Sequence, residues 1–382
     1  MTNQRRARLL GISSVAAYTL SNLSGWLLPV VVSDAMTALN LSATQGGLVV
    51  AGETLAIALS TLLLTRHSFG LRYLTIAMVG AVVALICTIA SAFAHDFSSL
   101  LALRLLTGLG EGAVMMVANS LAASDENPDR AFAHMNVINI LYGSSLFLLM
   151  PMLWPNRSGL TVFSIAAWGM VVLLPLMFWL SRRTAEDHKE VLIQSGQFRP
   201  ISTSALLLLS AAMLFIGSAA GATWTFMAEF GKQTGMTPDA IDSAIGVATL
   251  SAIVGSGMAG FLFRHFGRFW PLAVGTLVVT GACYSIANAH DGLHFRIEAV
   301  VVLISMYFLL PGLLSAGADI DRSGRVSAVV GAVFMLTLAI GPAVAGWVAD
   351  HFGLPQVGLT ALGMGVAALV SLLLFHRKAQ TL

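Results

Sequence analysis

The chain has 382 residues, of which 57% are hydrophobic and only 10% are charged. Soluble globular proteins carry about 25% charged residues, so this composition excludes a soluble protein and predicts that most of the surface faces lipid. The net charge of +2 is too small to indicate nucleic-acid binding, and Cys87 and Cys283 lie in apolar runs without a metal-ligand or redox spacing.

Twelve stretches are long and apolar enough to cross a membrane, because a helix of about 20 residues spans the hydrocarbon core. Each is expected to be helical, since lipid offers no partner for free backbone groups. The first follows a basic N-terminus but shows no cleavage site, so it is interpreted as a retained span. The expected spans 1 to 12 cover residues 9–32, 45–65, 72–94, 98–123, 132–154, 159–181, 203–228, 241–263, 270–289, 299–318, 326–349 and 355–375.

The basic residues predict the orientation of these spans. With a cytoplasmic N-terminus, 16 of the 20 basic residues fall in cytoplasmic segments, and three, Arg157, Lys232 and Arg296, fall on the opposite side. This bias favours both termini inside and an even number of spans.

The sequence also indicates that the chain consists of two similar halves. A polar stretch at 182–201 separates an expected N-terminal half, 1–181, from an expected C-terminal half, 202–382. RHSFGLR (66–72) between spans 2 and 3 matches FRHFGRF (263–269) between spans 8 and 9, at an offset of a little under 200 residues. Duplicated halves of this kind are typical of transporters with a substrate site at the midplane.

Twelve spans, a basic central loop and the repeated turns resemble the major facilitator superfamily over the whole chain. Span 4 matches the family's R-x-x-x-G-x-G pattern through Arg104, Gly108 and Gly110. The resemblance implies an all-α membrane fold of two pseudo-symmetric six-helix halves that work by alternating access. It implies a secondary active transporter and not an enzyme.

The family's turn between spans 2 and 3, G-x-x-x-D-R-x-G-R-R, implies a role in conformational gating. The second copy keeps Gly260, Gly267 and Arg268. The first copy is degraded: it keeps Gly70 and Arg72 but has His67 in place of the aspartate that helps to lock the outward-open state in the family.

Three charged residues lie well inside spans: Glu53 in span 2, and Arg104 and Glu111 in span 4. Each costs about 2.5 to 3.5 kcal/mol at a helix centre on insertion scales, so each needs a function or a partner. Glu53 and Arg104 lie at similar depths, which predicts an ion pair between spans 2 and 4. Glu111, nearly two turns from Arg104 on the same face, is then left near the midplane without an obvious base.

An arginine followed seven residues later by a glutamate on span 4 resembles the anion–cation symporter and spinster-like branches of the family. The resemblance implies that Glu111 carries the coupling proton, with Arg104 as its partner and Glu53 as a possible substitute for the span 1 aspartate usual in those branches. Span 1 here offers only Tyr18, Asn22, Ser24 and Trp26. Two other interpretations remain open: an ion pair that only orders the helices, and direct contact of Arg104 with the substrate.

In this family spans 1, 4, 7 and 10 line the cavity. The candidate substrate-binding residues are Tyr18, Asn22, Trp26, Met115, Asn139, Trp224 and Tyr307. Their character suits an amphipathic or aromatic solute, and an organic anion is a further possibility. GSGMAG (255–260) matches G-x-G-x-x-G but lies inside span 8, so it predicts close helix packing and not a nucleotide site.

The sequence therefore predicts a proton-coupled transporter of a small organic solute, without a metal or an organic cofactor. The alternative is a proton-driven multidrug or metabolite efflux antiporter, which span 5 disfavours because it lacks the Gly-Pro motif usual in drug antiporters. A membrane-embedded enzyme would need a nucleophile–base or metal group in the spans, and none is found. We expect a monomer that binds no nucleic acid, in a bacterial inner membrane.

Overall fold

The computed structural model describes residues 3–66, 72–125, 127–155, 158–180, 203–320 and 325–379. Within these ranges, twelve helical segments are long and apolar enough to cross a membrane, in agreement with the predicted number. The helices run Asn3–Ser21, Leu23–Leu39, Ala43–Arg66, Tyr73–Ser91, Phe97–Ala123, Pro128–Leu153, Thr161–Leu173 with a 3-10 turn at Leu174–Trp179, Thr203–Thr225, Met227–Gln233, Pro238–Phe266, Phe269–Ala287, Gly292–Ile320, Arg325–Phe352 and Gln356–Ala379.

Span 1 differs most from the prediction, because it extends to Leu39 and not to residue 32. The apolar run ends near residue 32, but the helix continues until Asn40, whose φ of 52° is left-handed. Asparagine tolerates that conformation and commonly closes helices.

Span 1 is built of two helices that meet at Asn22 (φ −106°, ψ 0°). The Ser21 hydroxyl and the Asn22 side-chain amide both donate to the Tyr18 carbonyl, at 2.9 and 2.8 Å. Side chains that take over a backbone acceptor in this way interrupt the regular ladder of helix hydrogen bonds. Span 7 is interrupted at Phe226 with similar backbone angles, φ −99° and ψ 11°.

The chain forms two compact units. The first comprises the described residues within Met1–Asn40, Gly52–Leu146 and Arg157–Ser195, and the second comprises those within Leu41–Ala51, Phe147–Asn156 and Gly196–Leu382. Two short segments that the sequence assigned to the first half, at the start of span 2 and the end of span 5, thus pack with the second unit. The predicted linker at 182–201 lies outside the described residues.

The core of the first unit brings together spans 1, 3, 4 and 6, with apolar side chains such as Leu20, Ala77, Val114 and Met170. In lipid this packing cannot draw on the hydrophobic effect between helices, so close van der Waals contact has to hold the spans together. The same close contact surrounds the charged residues of span 4.

Candidate functional site: a buried charge cluster in the first unit

The ion pair predicted between spans 2 and 4 is present. Both Nε and Nη2 of Arg104 donate to the Glu53 carboxylate, Nε at 3.0 Å from Oε2 and Nη2 to Oε1. Both side chains are only 1% exposed, so this two-pronged contact is shielded from solvent. Arginine matches a carboxylate with two parallel hydrogen bonds, which fixes its orientation as well as its charge.

Glu111 joins this ion pair through a serine that the sequence analysis did not single out as functional. Arg104 Nη2 donates to Ser24 Oγ at 2.8 Å, and Ser24 Oγ donates to Glu111 Oε1 at 2.6 Å. The second carboxyl oxygen of Glu111, Oε2, is buried and has no hydrogen-bond partner among the described residues. A carboxyl with one oxygen held and the other unsatisfied can take up a proton without breaking an existing contact.

Spans 3 and 6 complete the surroundings of Arg104. Nη1 lies 3.4 Å from the hydroxyl of Thr88 on span 3, and the guanidinium carbon lies 5.3 Å from the ring centre of Phe163 on span 6. An aromatic face stabilises a cation at that distance. Five spans therefore contribute to one cluster, with span 4 at its centre.

Glycines let span 4 approach its neighbours closely. A Cβ on Gly108 would collide with the backbone carbonyl of Glu53, and a Cβ on Gly112 with the carbonyl of Ile57. On another face, a Cβ on Gly110 would meet the carbonyl of Gly80 on span 3. The contacts of Gly108 and Gly112 set the spacing between spans 2 and 4 close to the ion pair of Glu53 and Arg104.

Two of the predicted substrate residues of span 1 contact span 5. The Tyr18 hydroxyl donates to Asn136 Oδ1 at 3.2 Å, and Trp26 Nε1 donates to Asn139 Oδ1 at 3.0 Å. The two bonds lie on either side of the helix break at Asn22, which is half-buried. Their role in substrate binding stays a prediction.

The remaining predicted substrate residues occupy separate places. Met115 is buried on span 4. In the second unit, Trp224 is buried and packs edge-on against Phe147 with ring centres 6.3 Å apart, while Tyr307 is half-buried on span 10. Substrate contact by these residues also stays a prediction.

The predicted gating residues are only partly described. Gly70 lies outside the described residues, and Arg72 is exposed directly before the helix of span 3. Gly267 ends span 8 with φ 68° and ψ −175°, a conformation open essentially to glycine alone, and half-buried Arg268 follows it. These facts give the second turn a structural role, and they leave gating a prediction.

The structure also bears on two other kinds of site, one for a metal ion and one for a nucleotide. Among the described residues, no group of three or more His, Cys, Asp or Glu side chains is placed to hold a metal ion. In GSGMAG, a Cβ on Gly255 would collide with the carbonyl of Ile304, which supports close helix packing, whereas Gly257 and Gly260 face open space.

Comparisons with known proteins identify the family. The sequence profile of the Major Facilitator Superfamily matches residues 14–319. No curated protein sequence matches the chain.

Solved structures share the fold at low sequence identity. A bacterial homologue of the human lysosomal transporter Spinster, inward-facing and occupied, is 18% identical with a TM-score of 0.76, covering 99% of this chain and 98% of its own. The nucleoside transporter NupG is 13% identical with a TM-score of 0.73, over 98% and 99% of the two chains. The human organic anion transporter MFSD10 (TETRAN) is 18% identical with a TM-score of 0.65, over 97% and 100%.

The chain thus belongs to the major facilitator superfamily and is a multi-pass integral membrane protein. Its membership of this family makes it a transporter and not an enzyme.

Proposed function

We propose that the protein is a proton-coupled secondary transporter of a small organic solute, and that Glu111 carries the proton. The observation that supports this most directly is the buried cluster of Arg104, Glu53 and Glu111. The charges of Arg104 and Glu53 cancel, so a proton on Glu111 leaves the cluster neutral and its loss leaves one buried negative charge. Burial makes that difference costly, and a costly difference is what ties a proton to a conformational change.

The geometry speaks against the other two interpretations of the span 4 charges. Direct contact of Arg104 with a substrate would require Arg104 to leave Glu53, Ser24 and the face of Phe163. A purely structural ion pair accounts for Glu53 and Arg104, but it gives no reason for a second carboxyl whose Oε2 has no partner among the described residues. Proton transfer at Glu111 explains why the cluster contains two acids, Glu53 to neutralise Arg104 and Glu111 to carry the proton.

We further propose that the solute is amphipathic or aromatic and uncharged. Tyr18 and Trp26 offer aromatic surface on either side of the break in span 1, and each has one polar group, which is bonded to an asparagine of span 5. Among the described residues Arg104 is the buried base, and Glu53 already neutralises it. An organic anion would find no such free partner there, although MFSD10 is a transporter of organic anions.

The test begins with a thermal-shift screen of the purified protein against solute classes at two pH values. The stabilising solute is then used for uptake into proteoliposomes with and without an imposed pH gradient. In Glu111→Gln we expect the acceleration by the pH gradient to be lost, while solute exchange at equal pH continues, because glutamine keeps the shape but cannot release a proton.

The matched control is Glu229→Gln. Glu229 forms an ion pair with Lys232 at 2.8 Å in a partly exposed setting, so its loss should leave the response to the pH gradient intact. An undiminished response in Glu111→Gln would contradict the proposal.

A further inference from the structure

Ser24 connects span 1 to the charge cluster of span 4. It lies two residues after the break in span 1, is 3% exposed, and contacts both Arg104 and Glu111. Among the described residues, no hydrogen bond or ion pair joins Arg104 to Glu111 directly, so the serine hydroxyl is the link between them.

The hydroxyl can serve two different arrangements. It has one hydrogen to donate and two lone pairs to accept, whereas the arginine guanidinium can only donate. In the structure Ser24 accepts from Arg104 and donates to Glu111, the arrangement that suits an ionised carboxylate. If Glu111 takes a proton on its free oxygen Oε2, Oε1 becomes the carbonyl oxygen of a neutral acid, which accepts the serine hydrogen less strongly than a carboxylate does.

The serine hydrogen is then less strongly held and can turn to another acceptor. Helical serines commonly donate to the carbonyl three or four residues earlier, which for Ser24 belongs to Ser21 or Leu20. Both carbonyls lie before the break at Asn22, at the end of the first helix of span 1. The direction of the serine hydrogen bond therefore depends on how the two helices of span 1 meet.

We propose that Ser24 is a positioning residue that makes the protonation of Glu111 and the conformation of span 1 at the Asn22 break depend on each other. This inference rests on the proposed function of Glu111. The titratable groups around the site are Glu53 from span 2, Cys87 from span 3 and Arg104 from span 4. None of these is on span 1, so Ser24 is the contact through which span 1 senses the charge.

Span 1 is also the element through which a solute would act. Tyr18 and Trp26, which flank the break, are bonded to Asn136 and Asn139 of span 5. A Cβ on the adjacent Gly25 would meet no atom within 4 Å, so the chain beside Ser24 borders open space. A solute in that space would shift Ser24 and thereby favour one protonation state of Glu111.

The reporter for the test is a cysteine at Gly25, since its side chain has room. It is placed in the full-length protein with Cys87→Ala and Cys283→Ala, which removes the two native thiols. The rate of labelling by N-ethylmaleimide is followed from mildly acidic to mildly alkaline pH in proteoliposomes. Each rate is divided by that of the same variant unfolded in detergent, which corrects for ionisation of the reporter thiol.

With Ser24 intact, we expect the corrected rate to change about tenfold over this range, the factor that corresponds to one hydrogen bond to a charged group. With Ser24→Ala the change should fall to about twofold or less, because no hydroxyl remains to respond. Ser24→Thr should keep the change and Ser24→Val should lose it. Threonine and valine have nearly the same volume and differ by a hydroxyl in place of a methyl group, so this pair tests the role of the hydroxyl even if the alanine variant folds poorly.

Glu111→Gln in the same background separates this inference from the proposed function. Loss of the pH response in Glu111→Gln, together with its retention in Ser24→Ala and Ser24→Val, would overturn the role of Ser24 and leave the proposed function standing. Loss of the pH response in Ser24→Ala and Ser24→Val, together with its retention in Glu111→Gln, would also overturn the role of Ser24, because Ser24 would then respond to another group. The proposed function itself fails only if Glu111→Gln still transports solute in response to a pH gradient.

Discussion

In the first unit, span 4 carries Arg104 and Glu111 at the centre of a polar cluster, whereas the corresponding stretch of span 10 in the second unit, residues 299–318, has no charged residue. With the repeat offset of a little under 200 residues, Glu111 corresponds to the neighbourhood of Phe308, which stacks on Phe263 with ring centres 5.0 Å apart. Among the described residues of the second unit, the buried acid is Asp242, in the second turn of span 8.

The two units nevertheless keep the same scaffold. Spans 1 and 7 are both interrupted, at Asn22 and at Phe226. Span 4 begins after an aspartate cap at Asp96, and span 10 begins after Asp291, whose carboxylate accepts from two backbone N–H groups of the first turn. The comparison indicates that buried charge is an addition to a shared helical framework and not a requirement for building it.

The largest effect is expected from variants that remove the buried charges of the first unit. Arg104→Met leaves two buried acids without a base, and we expect a loss of about 3–5 kcal/mol in the free energy of unfolding, together with loss of transport. The measurement is unfolding in denaturing detergent, followed by circular dichroism.

The double variant Arg104→Met, Glu53→Leu is the decisive control. Replacing a whole buried ion pair by apolar side chains of similar volume is often neutral for stability, so most of the loss should be recovered. Transport driven by the pH gradient should not return. If the double variant is as unstable as Arg104→Met, the charges are part of the framework, and the first unit differs from the second in construction as well as in chemistry.

The framework and the ion pair could be predicted from the sequence, because both depend on signals that survive without a structure. Length and hydropathy determine the number of spans. Buried charges are rare in membrane spans, so Glu53 and Arg104 at similar depth predict an ion pair. The family pattern of span 4 also includes Gly108 and Gly110, and the backbones of spans 2 and 3 lie against these two glycines.

Ser24 was missed for a physical reason. A hydroxyl costs little in a membrane helix, so a serine gives no signal comparable to that of a buried charge. The break at Asn22 was equally hidden, since side chains and not a proline produce it. Trp26 and Asn139 show the opposite case: both were predicted to bind a solute, and the structure shows first that they bind each other.

Glycine packing gives a sharper test of the two units, with a smaller expected effect. Gly108→Ala places a methyl group against the carbonyl of Glu53, so we expect a loss of about 1–3 kcal/mol, typical of overpacking. Gly257→Ala in span 8 meets open space, and there alanine should stabilise the helix by up to about 1 kcal/mol. The detergent-unfolding measurement applies to both, and equal signs would contradict the packing described for span 4.

The smallest expected effect concerns the aspartate caps, which the two units share. The backbone N–H of Ser99 donates to Asp96 and that of His294 donates to Asp291, and each bond holds the pKa of its carboxyl below the ordinary value. A lowered pKa means that the carboxylate stabilises the folded state above its unfolded pKa of about 3.9, and that this stabilisation disappears as pH falls through the folded value.

Asp96→Asn and Asp291→Asn keep a capping side chain but remove the charge. Each should therefore unfold at a slightly lower temperature than the parent protein at neutral pH. The difference should vanish as pH falls below the lowered folded pKa, where the parent carboxyls are protonated as well. Thermal unfolding of the three proteins across this range checks the sign. If the difference in unfolding temperature from the parent persisted in acid for one variant but not the other, spans 4 and 10 would not begin in the same way. The likeness between the units would then not include the first turns of these spans.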